Sequence, residues 1–164
     1  ILKARASELE AARVRVMREP GLPPVACPRA YVYQVFDNLI SNAVKFTRGC
    51  PFPSIVVSAT REGNRGVFAV TDNGPGIPPA QRERVFDPFV RLHPRTVEGT
   101  GIGLAIVRRI VELYEGRVWV DGTDDAGCCI RFTLPLLGDL CVSESVPGPA
   151  VCADKDGHSL EEGT

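Results

Sequence analysis

The sequence predicts an α/β domain with a mixed, mostly antiparallel sheet, on three observations. Two stretches, 29–46 and 102–114, carry apolar residues at helical spacing. Two others, 53–71 and 117–134, each read as a pair of short strands joined by a turn. With 164 residues, 44% of them hydrophobic and 24% charged, the chain can bury one core and has the composition of an ordinary soluble globular protein.

No apolar run is long enough to cross a bilayer. The chain begins at Ile1, with neither an initiator Met nor the basic-then-apolar order of a signal peptide, and so reads as a fragment of something longer. A formal net charge of −1 gives no electrostatic case for nucleic acid. The charge is uneven, however. Residues 138–164 set six acidic side chains against Lys155, a net of −5, which leaves about +4 on residues 1–137 and mildly favours an anionic ligand there. The six cysteines (Cys27, Cys50, Cys128, Cys129, Cys141, Cys152) form no C-x-x-C, and no His stands at metal-ligand spacing. They read as scattered reduced thiols, with adjacent Cys128 and Cys129 on opposite faces of a strand.

Residues 1–12 read as the end of a helix, a stub linking to something upstream. Residues 13–19 alternate like a strand, with Val14 and Val16 on one side. After the Pro20–Pro24 loop, Pro28 is placed to open a helix at its first turn. That helix, from about Arg29 to Phe46, has an apolar stripe of Val35, Phe36, Leu39, Ile40, Ala43 and Phe46. Asn38, Asn42 and Lys45 lie beside the stripe at i, i+4 and i+7, on one narrow face. The bland reading of that row is a solvated helix edge. The functional reading is a face for a metal ion and a polyanion, and two mid-helix asparagines carry a propensity cost for something to offset.

Strands at Pro53–Arg61 and Gly66–Thr71 flank a turn at Glu62–Arg65. The second runs into Asp72-Asn73-Gly74-Pro75-Gly76-Ile77-Pro78. Read alone, this is a tight turn, since Asn-Gly and Pro-Gly are turn dipeptides. It also sets a carboxylate before two spaced glycines, where it can accept hydrogen bonds from a ligand amine beside a flat ring. A short helix is expected over Pro79–Arg84, then a loop anchored by Phe86 and Phe89. Residues 92–98, with His93 and Arg95, have no periodicity and suit a mobile lid. Gly99-Thr100-Gly101-Ile102-Gly103 then runs straight into the helix that ends near Tyr114. Unpaired N–H groups and the helix dipole make such a start attractive to phosphate, and glycine lets oxygens approach the backbone. Strands at Arg117–Asp121 and Cys128–Leu134 form a hairpin, and residues 138–164 are expected to be a disordered acidic tail.

Four blocks now stand in order: QVFDNLISNAVKFT (34–47), DNGPGIP (72–78), VFDPFVRL (85–92) and GTGIGLAIVRRIVELYEG (99–116). They resemble the N, G1, F and G2 boxes of the ATP-binding catalytic domain of sensor histidine kinases. That domain belongs to the GHKL superfamily of type II topoisomerases, heat-shock chaperones and mismatch-repair ATPases. The resemblance covers roughly residues 5–137, with the catalytic domain set at 13–137. It implies a Bergerat-type two-layer α/β sandwich, with the nucleotide between the two helices.

Residue by residue, the resemblance implies that Asp72 accepts a hydrogen bond from the adenine amino group and that Gly74 and Gly76 line the base. Asn42 would ligate Mg²⁺, with Asn38 on the same face and Lys45 near the phosphates. Gly99, Gly101 and Gly103 would wrap the triphosphate of ATP, with Leu104 beside them, while Arg91 would touch phosphate and Thr133 the base. The hydrolytic relatives typically carry a Glu general base where this chain has Asn38, which cannot take a proton near neutral pH. That favours passing the phosphoryl group to a protein over releasing it to water. The family phosphorylates a His on two dimerisation helices preceding this domain, whereas this chain has only His93 and His158. The acceptor would lie upstream of Ile1 or on a partner, and this fragment would bind ATP without phosphorylating itself. The implied partners are those helices, in a homodimeric parent, and a response regulator. The domain would be cytoplasmic, with membrane anchoring of the parent left open. The alternatives are a serine kinase or ATPase of the same fold, or a non-catalytic docking module.

Overall fold

A computed structural model describes residues 1–91, 100–122 and 127–138. The expected lid at 92–98, Gly99 and the tail from residue 139 onward lie outside the described residues. The elements follow in order: helix α1 (Ala6–Ala11), strand β1 (Arg15–Arg18), helix α2 (Arg29–Thr47), strands β2 (Ser54–Glu62) and β3 (Arg65–Asp72), helix α3 (Gly103–Leu113), and strands β4 (Val118–Asp121) and β5 (Cys128–Pro135). The described strands form one mixed sheet ordered β1-β2-β3-β5-β4. Only β1 and β2 are parallel; β2–β3, β3–β5 and β4–β5 are antiparallel. This is the expected α/β two-layer arrangement.

The core sits between the sheet and two helices because each contributes one apolar face. From α2 come Val35, Leu39, Ile40, Ala43 and Val44; from α3, Val107, Ile110 and Val111. The sheet supplies Ile55, Val57, Phe68, Val70, Ile130, Phe132 and Leu134, all at alternate positions of their strands. Phe68 and Phe132 are cross-strand partners. Their rings stack at 5.4 Å between centroids, and Phe36 of α2 meets both edge-on at 6.0 and 5.4 Å. This aromatic triad fixes α2 to the centre of the sheet.

Three local expectations need correction. The helix expected over Pro79–Arg84 is instead a 3₁₀ turn at Pro79–Gln81, with a second at Arg84–Phe86. The first is closed by i→i+3 bonds, Gln81 N–H to Pro78 O at 2.8 Å and Arg82 N–H to Pro79 O at 3.3 Å. Of the two expected anchors only Phe86 is buried, while Phe89 is 74% exposed and has φ +65°. The buried stripe of α2 also continues through Val44 and Thr47 and leaves Phe46 at its edge. Thr47 is tolerated inside because its hydroxyl donates to the Ala43 carbonyl at 2.8 Å.

The N-terminal arm folds into the domain. Leu9 of α1 is buried, and Ile1, Leu2 and Ala12 pack against the core. Ahead of α1, the Arg5 guanidinium grips Asp37 of α2 with both ends of its fork, Nε to Oδ1 at 2.6 Å and Nη2 to Oδ2 at 2.9 Å.

Candidate functional site

An open cleft of about 200 Å³ lies along α2, beside the start of α3 and above one end of β3 and β5. The row read from helical spacing faces it: Asn38, Asn42 and Lys45 all line the cleft. The Asn38 amide donates to the Gln34 carbonyl at 2.8 Å, which turns its oxygen toward α3. A methyl group on Gly103 would lie 2.9 Å from that oxygen. Gly103 therefore lets the two helices approach where a side chain would push Asn38 aside. The Asn42 amide has no hydrogen-bond partner among the described residues and is free to turn its oxygen to a ligand.

At the other end of the cleft stands Asp72, the last residue of β3. Its Oδ1 accepts a hydrogen bond from Gly74 N–H at 2.9 Å. Burial pushes the carboxyl up to about 6, against the opposing pull of the Gly74 and Cys128 backbone N–H groups. The group is still mostly ionised at neutral pH and, desolvated as it is, can accept a hydrogen bond from a ligand donor. A side chain at Gly74 would stand 2.8 Å from Asp72 Oδ1 and 3.0 Å from the Phe46 carbonyl, so Gly74 guards the carboxylate rather than lining the cleft. Gly76 does line it, with φ +75° and a Cβ position 2.6 Å from the Gly127 carbonyl, where only glycine fits. Val70, Ile77 and Ile130 supply apolar surface beside Asp72, suited to a flat ring.

The glycine loop meets the cleft through Thr100, Gly101, Gly103 and Leu104. Gly101 has φ +73° and accepts a hydrogen bond from Phe89 N–H at 2.9 Å. A Cβ there would sit 2.9 Å from the Phe89 carbonyl carbon. That contact joins the loop before α3 to the segment carrying Val90 and Arg91, which also line the cleft. The structure thus brings Asn38, Asn42, Lys45, Asp72, Gly76, Arg91, Gly101, Gly103 and Leu104 around one space, with Gly74 behind Asp72.

Thr133 is a correction. It alternates with Phe132 and Leu134, which face the core, so its side chain lies on the far face of the sheet. There its hydroxyl accepts from Arg117 N–H at 3.0 Å. The β5 residues that do reach the cleft are Cys128 and Ile130. Cys128 lies opposite Asp72 in the register. Burial, and then the Asp72 charge, push its thiol up to about 12, so it stays neutral beside the carboxylate. Sequence reasoning placed Cys128 and Cys129 on opposite faces but had no signal for which one faced the cleft; that needed the cross-strand register. Phe46 was also missed, having been assigned to the core stripe.

Among the described residues no cluster of three or more His, Cys, Asp or Glu could hold a metal ion. The donors facing the Asn42 end are amides. A hard dication fits there only if ligand oxygens and water complete its shell.

Comparison with known proteins shows the family. Residues 28–138 match the family model described as histidine kinase-, DNA gyrase B-, and HSP90-like ATPase. The methanogenesis regulatory histidine kinase FilI of Methanothrix harundinacea is 40% identical over 134 residues, covering 82% of this chain and 15% of FilI. The histidine kinase domain of the Escherichia coli osmosensor EnvZ is 34% identical with a TM-score of 0.57, covering 89% of each chain. ShkA, solved in complex with AMPPNP, is 29% identical with a TM-score of 0.69, covering 82% of this chain and 28% of ShkA. The chain therefore spans about a seventh of the length of FilI.

Proposed function

The chain belongs to the histidine kinase-, DNA gyrase B- and HSP90-like ATPase family as an ATP-binding catalytic domain, and from that premise we propose that its cleft holds Mg-ATP for transfer of the γ-phosphoryl group to a histidine. The observation that carries this reading is the polarity of the cleft: a desolvated carboxylate among apolar side chains at one end, and amides, a lysine and a glycine loop along the rest.

Asp72 accepts a hydrogen bond from the adenine amino group while Val70, Ile77 and Ile130 cover the ring. Asn42 would hold Mg²⁺ through its amide oxygen, and the ion would supply charge neutralisation at the phosphates. Lys45 and Arg91 bring positive charge to the phosphates, and the backbone of Gly101–Gly103 lies against them. Phosphoryl transfer asks the protein mainly for such positioning and charge neutralisation. The γ-phosphorus bonds to an imidazole nitrogen, its bond to the β,γ-bridging oxygen breaks, and ADP departs. Asn38 offers no base for water, and its amide hydrogen is already held by Gln34.

The acceptor histidine belongs to dimerisation helices of the parent protein, a homodimer that hands the phosphoryl group to a response regulator. The reading places the domain in the cytoplasm. No helix among the described residues is long and apolar enough to cross a membrane. The test is to incubate the whole parent protein with γ-labelled ATP and characterise the label. Acid-labile, base-stable phosphate on histidine is the expected result. Phosphoserine on a partner, or inorganic phosphate with no protein label, contradicts it.

A further inference from the structure

Three consecutive residues of α2 hold it from three directions, because each step along a helix turns about 100°. Phe36 enters the aromatic triad of the core. Asn38 lies against Gly103 at the start of α3. Between them Asp37 is gripped by Arg5 from the N-terminal arm, 32 residues away in sequence. The first two contacts are made by the body of the domain. The third comes from a six-residue helix region that leads in from Ile1.

We propose that the Arg5–Asp37 pair is a latch through which the N-terminal arm sets the rotation of α2, and so the positions of Asn38 and Asn42 in the cleft. The pair is built for this. It is bidentate, which fixes angle as well as distance, where a single lysine contact would fix distance alone. The Arg5 and Asp37 side chains are only 19% and 31% exposed, so solvent screening is reduced. Glu8 of α1 also pairs with Arg5, so the guanidinium cannot swing away from Asp37 without leaving the arm's own carboxylate. The hydrogen bond from Arg5 holds the Asp37 carboxyl below its ordinary range, so the latch stays charged at neutral pH. Asp37 and Arg5 do not line the cleft and are positioning residues, not catalytic ones.

The inference rests on the proposed Mg-ATP site, and its test separates the two. Titrate ATP, with and without Mg²⁺, into the full chain and into Arg5→Gln, Asp37→Asn, the double variant and Arg5→Lys, and record thermal melting of each. The latch predicts that both single substitutions reduce the Mg²⁺-dependent gain in affinity by roughly 2- to 30-fold and leave Mg²⁺-free binding, governed by Asp72, unchanged. The double variant should lose no more than the worse single, because both remove one interaction. Arg5→Lys should fall in between, keeping charge without the fork. A pair that only supports the fold lowers the melting temperature and leaves the Mg²⁺-dependent gain intact, which overturns the latch. Additive losses in the double variant overturn it as well. If the unaltered chain binds no nucleotide, both the site and the latch fail together.

Discussion

Burial of the Asp72 carboxyl carries a cost in the folded protein. The folded carboxyl keeps a proton up to about pH 6, whereas an ordinary aspartate loses it near 3.8. Between those values the folded state binds more protons than the unfolded state, so stability falls as pH rises, by roughly 3 kcal/mol in total. Above pH 6 the whole penalty is present, and below about pH 4 it is absent. Asp72→Asn is therefore expected to stabilise the free protein at pH 8 by up to about 3 kcal/mol and to give no gain at pH 4. Urea denaturation at the two pH values checks this. The same titration makes nucleotide affinity fall as pH drops from 7.5 to 5.5, since a protonated carboxyl is a poorer acceptor. At Gly103 the constraint is steric. Gly103→Ala puts a methyl 2.9 Å from Asn38 Oδ1. The near atom ends a flexible side chain, so Asn38 swings aside at little cost in stability, and the substitution is expected to weaken Mg²⁺-dependent binding more than Mg²⁺-free binding.

The elements show how far the sequence reaches. Helices α2 and α3 and the β2–β3 hairpin are legible from apolar spacing and turn residues, because those signals are local. The assignment of Phe46 to the core fails because α2 is long enough for its buried stripe to shift onto Val44 and Thr47. Thr133 and Cys128 could not be assigned to a face from one strand alone. Parity along β5 is visible in sequence, but which parity meets α2 is decided by pairing with β3. The Arg5–Asp37 pair was not legible at all, since nothing local links residues 32 apart. The aromatic triad sets the element-scale prediction. Phe132 is fully buried and touches both Phe36 and Phe68. Phe132→Ala should cost about 3–5 kcal/mol in denaturant unfolding, with α2 losing amide-exchange protection first, because the triad is what seats it on the sheet.

For the whole molecule, the sheet and two helices form an ATP-binding domain around the cleft, and the proposed function takes the phosphoryl acceptor from another segment or chain. The two histidines of the chain, His93 and His158, lie outside the described residues. A domain of this kind should be stabilised by its ligand through mass action, by about 2.7 kcal/mol when Mg-ATP is present at a hundred times its Kd. Melting with and without Mg-ATP reads this directly, and Asp72→Asn should melt at the same temperature in both.

The central claim is that one cleft holds the base at Asp72 and the metal-bound phosphates at Asn42. Calorimetric titration of ATP into the full chain, Asp72→Asn and Asn42→Ala, each with and without Mg²⁺, addresses it most directly. The account predicts that the unaltered chain binds in both conditions and more tightly with Mg²⁺. It predicts that Asp72→Asn loses binding in both, and that Asn42→Ala loses only the Mg²⁺-dependent gain. Binding that is indifferent to Asp72, or an unaltered chain that takes up no nucleotide, contradicts it.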